Sequence, residues 1–204
     1  MIVRPTPHPS IPHAASLRRA CADDRAAQIA EFALSLPLLV VFVVGIFDFS
    51  GALSLKQKLT NAAREGARVA AADPTNDLGN TSVVPPVSVS DAFYVVDNYL
   101  LSEKINDCGL SVAQPTRSGT TLTWTSTAGG CPSLSPNKLI LTIDRGCMTP
   151  QTIGTATTDV INTCVKIQYP YKWRFNSVIT LLVPSATYAS VTSITTTAAA
   201  FNEN

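Results

Sequence analysis

The stretch FALSLPLLVVFVVGIFDFSGALSL, Phe32 to Leu55, limits what this chain can fold into more than any other. Its only charged residue is Asp48. At 1.5 Å per residue, about 24 residues of helix cross a hydrocarbon core of about 30 Å, so a membrane-spanning helix is predicted over 32–55. The following LKQKLTNAAREGARVAAAD has no break before Gly66, and the helix is expected to run on into water as far as Ala72. There Leu55, Leu59, Ala62, Ala63, Gly66, Val69 and Ala70 recur at three- and four-residue steps, with Lys56, Lys58, Arg64, Glu65 and Arg68 on other faces. Such a stripe needs a cover, either a sheet from the same chain or helices of neighbouring subunits. Asp73 before Pro74 ends the helix.

Before the span, residues 1–26 read as a disordered leader, because Pro5, Pro7, Pro9 and Pro12 fix φ and remove helix donors. The apolar run is longer than a secretory signal and continues as helix, which favours retention as an anchor. Pro37 removes a backbone hydrogen bond and predicts a kink or loosened turn. Gly45, Ser50, Gly51, Ala52 and Ser54 thin one side, where another helix can approach. Two carboxylates bracket the span, and an acid in hydrocarbon is costly unless protonated, paired or snorkelling. On spacing alone Glu31 lies in the headgroup zone, and Asp48 either reaches water at the opposite interface or pairs with a neighbour's Lys or Arg.

Residues 73–204 are expected to form one α+β domain. A Pro/Asn/Gly-rich loop over 73–87 contains the sequon Asn80–Thr81–Ser82 by letter only. Ser88 and Asp91 have capping-box spacing, and Val89, Phe93, Val96 and Leu100 predict an amphipathic helix of about 13 residues. Segments rich in Thr, Ile, Val and aromatics, at 122–127, 138–144, 163–173 and 187–198, predict an antiparallel sheet, while 177–183 can be strand or buried helical turn. Cys108, Cys131, Cys147 and Cys164 all follow the span, an even number suited to two disulfides in an oxidising compartment outside the cytoplasm. Pairing of sequence neighbours, Cys108 with Cys131 and Cys147 with Cys164, is favoured because these flank predicted hairpins; the other two connectivities stay open. Lys/Arg bias gives no orientation, since Arg4, Arg18, Arg19 and Arg25 precede the span and Lys56, Lys58, Arg64 and Arg68 follow it.

Several function classes have no support. A net charge of +1 without a basic stripe argues against nucleic acid. The cysteine spacings fit no CxxC pattern, and both histidines, His8 and His13, lie in the leader, so no metal or other cofactor is expected. Asp91, Asp97, Glu103, Asp107, Asp144 and Asp159 show no paired motif, and there is no phosphate loop. A non-enzymatic role without a small-molecule substrate is predicted.

The continuous segment RAAQIAEFALSLPLLVVFVVGIFDFSGALSLKQKLTNAAREGARVAA, with AEFAL, LPLL, GIFDF and TNAAREGARVAA as its parts, resembles the N-terminal segment of TadE-like proteins. These are minor pilin-like components of bacterial tight-adherence (Tad) pilus systems. The closing TSITTTAAAFNEN resembles the end of such domains more loosely. The resemblance implies a pilin-like fold: a long transmembrane helix continuing as a soluble amphipathic helix packed on a small antiparallel sheet. It implies cleavage by a prepilin peptidase between Ala26 and Ala27, with Ala26 standing where Gly is usual. It also implies that Glu31, one turn from the new amine of Ala27, neutralises a neighbouring subunit's amine and sets register. The expected partners are the lipid bilayer, other pilin-like subunits and Tad assembly platform proteins. The expected location is the bacterial inner membrane, single-pass, with the C-terminal domain outside the cytoplasm or carried in a surface pilus. The alternative is a single-span anchored binding or adhesion module that never assembles.

Overall fold

The computed structural model describes residues 24–79, 84–131, 138–175 and 192–203. Of the leader expected over 1–26, residues 1–23 lie outside the described residues, as do the sequon and the segment 177–183, whereas 24–26 are not disordered but form the first residues of the long helix. Helix α1, Asp24–Ala72, is 49 residues long and continues through Pro37 without a break. Among the described residues it is the one helix long and apolar enough to cross a membrane, and none of its most apolar window is buried inside the protein. The chain divides into two compact units within this helix, Met1–Ile46 and Phe47–Asn204. In the first unit α1 exposes its apolar side chains, with Leu34 at 81% and Ile29 at 70%.

The second unit is the α+β head. Among the described residues its sheet has five strands, an antiparallel meander in the order β1-β2-β3-β4-β5, comprising Thr116–Arg117, Thr123–Ala128, Leu139–Ile153, Ala156–Pro170 and Ser193–Phe201. The expected strands at 138–144 and 163–173 are the inner halves of a much longer hairpin. β3 and β4 pair from Ile140↔Gln168 out to Ile153↔Ala156. Gly154, at φ 65°, takes the first position of the two-residue turn, where a primed turn matches the twist of the strands. Pro150 is tolerated in β3 because β2 has ended at the Thr123↔Asp144 pair, so that stretch is an edge.

Helix α2, Val87–Ser102, is the predicted second helix, but its N-cap is Pro86 with no side-chain cap. Ser88 is instead buried as the second residue of the helix, its Oγ without a partner among the described residues, so the capping box does not form. The first donors are handled by Asp77, whose Oδ2 accepts the N–H of Val87 at 3.0 Å.

The apolar stripe of α1 is covered from within the chain. Leu59, Ala62, Ala63, Ala67 and Ala70 form one core with Val89, Phe93, Val96 and Leu100 of α2 and Leu139, Leu141, Ile143, Val165 and Ile167 of the sheet. The small residues allow close packing: a Cβ on Gly66 would stand 2.6 Å from Val96 Cγ2. Val69, expected in the stripe, is only half-buried, and Ala67 takes the inward place. Disulfides join Cys108 to Cys131 and Cys147 to Cys164. The first ties the end of the α2 connection to the loop after β2, and the second crosses the β3–β4 ladder at its register shift between Asp144 and Cys147.

Candidate functional site

At the N-terminal end, Ala26, Ala27 and Glu31 all lie in helical backbone, and Glu31 is exposed. The i, i+4 spacing of Ala27 and Glu31 therefore corresponds to one turn of real helix, which brings the two positions onto one face.

Asp48 sits differently from either sequence expectation. It is 1% exposed, and its partners are backbone amides rather than solvent or a cationic side chain. Oδ1 accepts the N–H of Arg174 and Oδ2 that of Phe175, each at 3.1 Å. The Asp48 carbonyl also accepts the Tyr171 hydroxyl at 3.4 Å. Two charge-assisted bonds to main-chain donors answer the cost of an acid at the edge of an apolar run. They also strap residues 171–175, YKWRF, onto α1. Along this strap Tyr171, Trp173 and Phe175 are half-buried while Lys172 and Arg174 are exposed. Tyr171 lies over Gly51, its hydroxyl 3.7 Å from where a Cβ would be, so the thin side of the helix is covered there by the chain's own strap. Burial, and secondarily the Asp48 charge, raises the Tyr171 phenol above its ordinary value, against an opposing pull from Arg174.

At the other end of the head-bound helix, Arg145 is the largest fully buried side chain among the described residues. It follows Leu139, Leu141 and Ile143 at alternate inward positions of β3, and so it points into the core where an apolar residue would be expected. There its guanidinium meets the end of α1. Nη1 donates to the carbonyl of Ala70 and, at 2.8 Å, to Thr163 Oγ1, and Nη2 donates to the Asp73 carbonyl at 3.0 Å. This is a C-cap supplied from another element, a cation placed against orphan carbonyls at the negative end of the helix dipole. Asn202 Oδ1 accepts from Thr163 Oγ1 at 2.6 Å, which adds the C-terminal segment to the cluster. Burial lowers the Arg145 pKa, opposed by Asp73 and Asp77; burial raises that of Asp73, with Asp91 adding to the effect.

The structure also brings together an acid pair, Asp97 and Asp107, that has no signal in the sequence. Asp97 on α2 is 5% exposed, with no hydrogen-bond partner for Oδ1 among the described residues. Burial raises its carboxyl above the usual range, followed by the charge of Asp107 and a hydrogen bond to it. Ten residues and a left-handed turn at Lys104 separate the two in sequence, so no helical or strand spacing signals them. Among the described residues no group of three or more His, Cys, Asp or Glu side chains is placed to hold a metal ion.

Residues 26–68 match the family model described as TadE-like protein. That region is TadE-like. The match runs from the Ala26–Ala27 bond through Glu31 and Asp48 to the core-facing turns of α1, and it associates the chain with Tad pilus systems. No curated protein matches the chain, and no solved structure does. The sheet, Arg145 and both disulfides lie outside the TadE-like region.

Proposed function

We propose that this protein is a minor pilin or pilus-assembly component of a Tad system, held in the bacterial inner membrane by α1 with its disulfide-bonded head outside the cytoplasm. The observation that carries this reading is the extent of the TadE-like match, 26–68, which spans the cleavage position, the acid one turn beyond it and the apolar helix in one continuous block. Two disulfides in the head support an oxidising compartment. The exposed apolar side chains from Ile29 to Phe49 and Leu53 support a lipid-facing helix, and Asp48 is bound to the head by the strap. In this role the protein works by binding and assembly, with bilayer lipid, other pilin-like subunits and the assembly platform as partners. No catalytic step is assigned to it.

Processing by a prepilin peptidase would free the amine of Ala27, and Glu31 would then meet the amine of a neighbouring subunit in the membrane. A buried pair of that kind fixes register, because a misplaced subunit leaves a charge unmatched. Glu31→Ala tests this role: pilus production is expected to fail while membrane insertion stays normal, and normal pili would contradict it. Ala26 in place of the usual Gly favours a second reading, an uncleaved anchor carrying a binding or adhesion domain. Intact-mass measurement of the membrane-extracted form separates the two, with an N-terminus at Ala27 for the first and the leader still attached for the second.

A further inference from the structure

A groove of about 350 Å³ opens in the head beside Gly51 and Leu55 of α1, with Lys58, Glu103, Lys104 and Arg174 on its walls. We infer that it binds the phosphate of an anionic phospholipid headgroup, an inference that rests on the membrane-anchored reading above. Lys58 is committed, its Nζ 3.0 Å from the Glu103 carboxylate. Lys104 and Arg174 make no ion pair among the described residues, so the groove keeps an excess of positive charge facing solvent.

The backbone under each cation is fixed. Lys104 stands at φ 57°, the left-handed position after a helix that usually goes to glycine. Its N–H donates to the Leu101 carbonyl at 3.0 Å and that of Ile105 to Leu100 at 2.9 Å, the two bonds of a Schellman ending. A side chain held there costs free energy that glycine would avoid, and such outliers concentrate where the side chain has a task. Arg174 extends from the strap whose N–H groups are held by Asp48. A forked guanidinium and a point-charge ammonium on one groove suit a phosphodiester.

Placement selects lipid over a free anion. Exposed apolar side chains of α1 continue past Asp48 to Phe49 and Leu53, and Gly51 to Lys58 spans about 10 Å of helix, comparable to the headgroup layer. The strap alternates aromatics with Lys172 and Arg174, and Tyr171 packs edge-on to Trp173 at 5.1 Å. Amphipathic rings beside snorkelling cations are the composition of a membrane–water boundary.

The test uses the full chain extracted in mild detergent, exchanged into phosphatidylglycerol or phosphatidylcholine and examined by native mass spectrometry. Wild type is expected to retain phosphatidylglycerol at about fivefold or greater excess over phosphatidylcholine, and Lys104→Gly/Arg174→Gln to lose that excess. Glycine relieves the left-handed strain at 104 and the Arg174 N–H survives its substitution, so this variant folds at least as well; intact disulfides by mass confirm it. Lys138→Ala/Lys166→Ala removes the same charge from elsewhere and is expected to change nothing. Equal retention by wild type and the groove variant, or no headgroup preference in wild type, would overturn the inference. Displacement of the lipid by millimolar inorganic phosphate would assign the groove to a free anion and overturn it also. Flotation with phosphatidylcholine vesicles tests the anchor separately: a chain that does not float contradicts the membrane reading, whereas one that floats without headgroup preference contradicts this inference alone.

Discussion

Asp48 on α1 accepts the backbone N–H of Arg174 at 3.1 Å, across 126 residues of sequence. The contact converts the last acid of the apolar run into the anchor point for the head's YKWRF strap. Its loss should be local and measurable. Asp48→Ala strands the N–H groups of Arg174 and Phe175, and a destabilisation of about 1–3 kcal/mol is expected in detergent-based unfolding, with faster proteolysis near 171–175. Asp48→Asn keeps one acceptor oxygen and should lie between. An unchanged cleavage rate in Asp48→Ala would remove the strap from the description.

Arg145 links the inner face of β3 to the carbonyl end of α1 through a charged group. Arg145→Met preserves bulk but leaves the Ala70 and Asp73 carbonyls without this donor, at an expected cost of about 2–4 kcal/mol. Arg145→Lys retains charge without the planar fork and should recover only part. Chemical denaturation of the three proteins checks the order wild type, Lys, Met; an Arg145→Met protein as stable as wild type would contradict the cap.

The Cys147–Cys164 bridge crosses the longest hairpin at its irregular point. Replacing either cysteine by Ser is expected to cost about 2–4 kcal/mol, read as a lowered thermal midpoint. Free thiols at all four positions in a non-reducing peptide map would contradict both bridges.

Asp97 sets a pH dependence with a definite sign. Its native pKa is raised from 3.8, chiefly by burial, so between 3.8 and the native value the folded state holds more protons than the unfolded one. Stability from this group is fully present below 3.8 and is lost as pH rises through the native pKa. Asp97→Asn, neutral and nearly isosteric, should remove this loss of stability with rising pH and raise stability at neutral pH relative to wild type. Identical pH slopes in the two proteins would rule out the perturbed carboxyl.

At Gly66, alanine brings two opposed effects. Helix propensity favours it by about 1 kcal/mol, but its Cβ would meet Val96 Cγ2 at 2.6 Å, and overpacking a core costs about 1–3 kcal/mol. Net destabilisation is expected, partly rescued by Val96→Ala in the same background.

The apolar helix, its amphipathic continuation, α2 and the strand-forming segments were legible because each carries its own period, as Leu59, Ala62 and Ala63 do on α1. The hairpin arms at 145–162 were not, because Arg145, Gly146 and Pro150 read as breaks: a bulge and a free edge accommodate them, and neither has a local signature. Ser88 fits a capping box by letter, yet the chain enters α2 through Pro86 and buries the serine. The partners of Asp48 and Arg145 were invisible for a common reason. Both use backbone groups, the N–H of Arg174 and Phe175 and the carbonyls of Ala70 and Asp73, which every residue type possesses.

Protease digestion of the head in intact spheroplasts tests the central claim most directly, since everything assigned to the protein requires α1 to cross the membrane and deliver the disulfide-bonded head outside. Cleavage within residues 73–204 without lysis, leaving a membrane-protected fragment that contains 32–47, is the expected result. Complete protection of the head until the cells are lysed would contradict it.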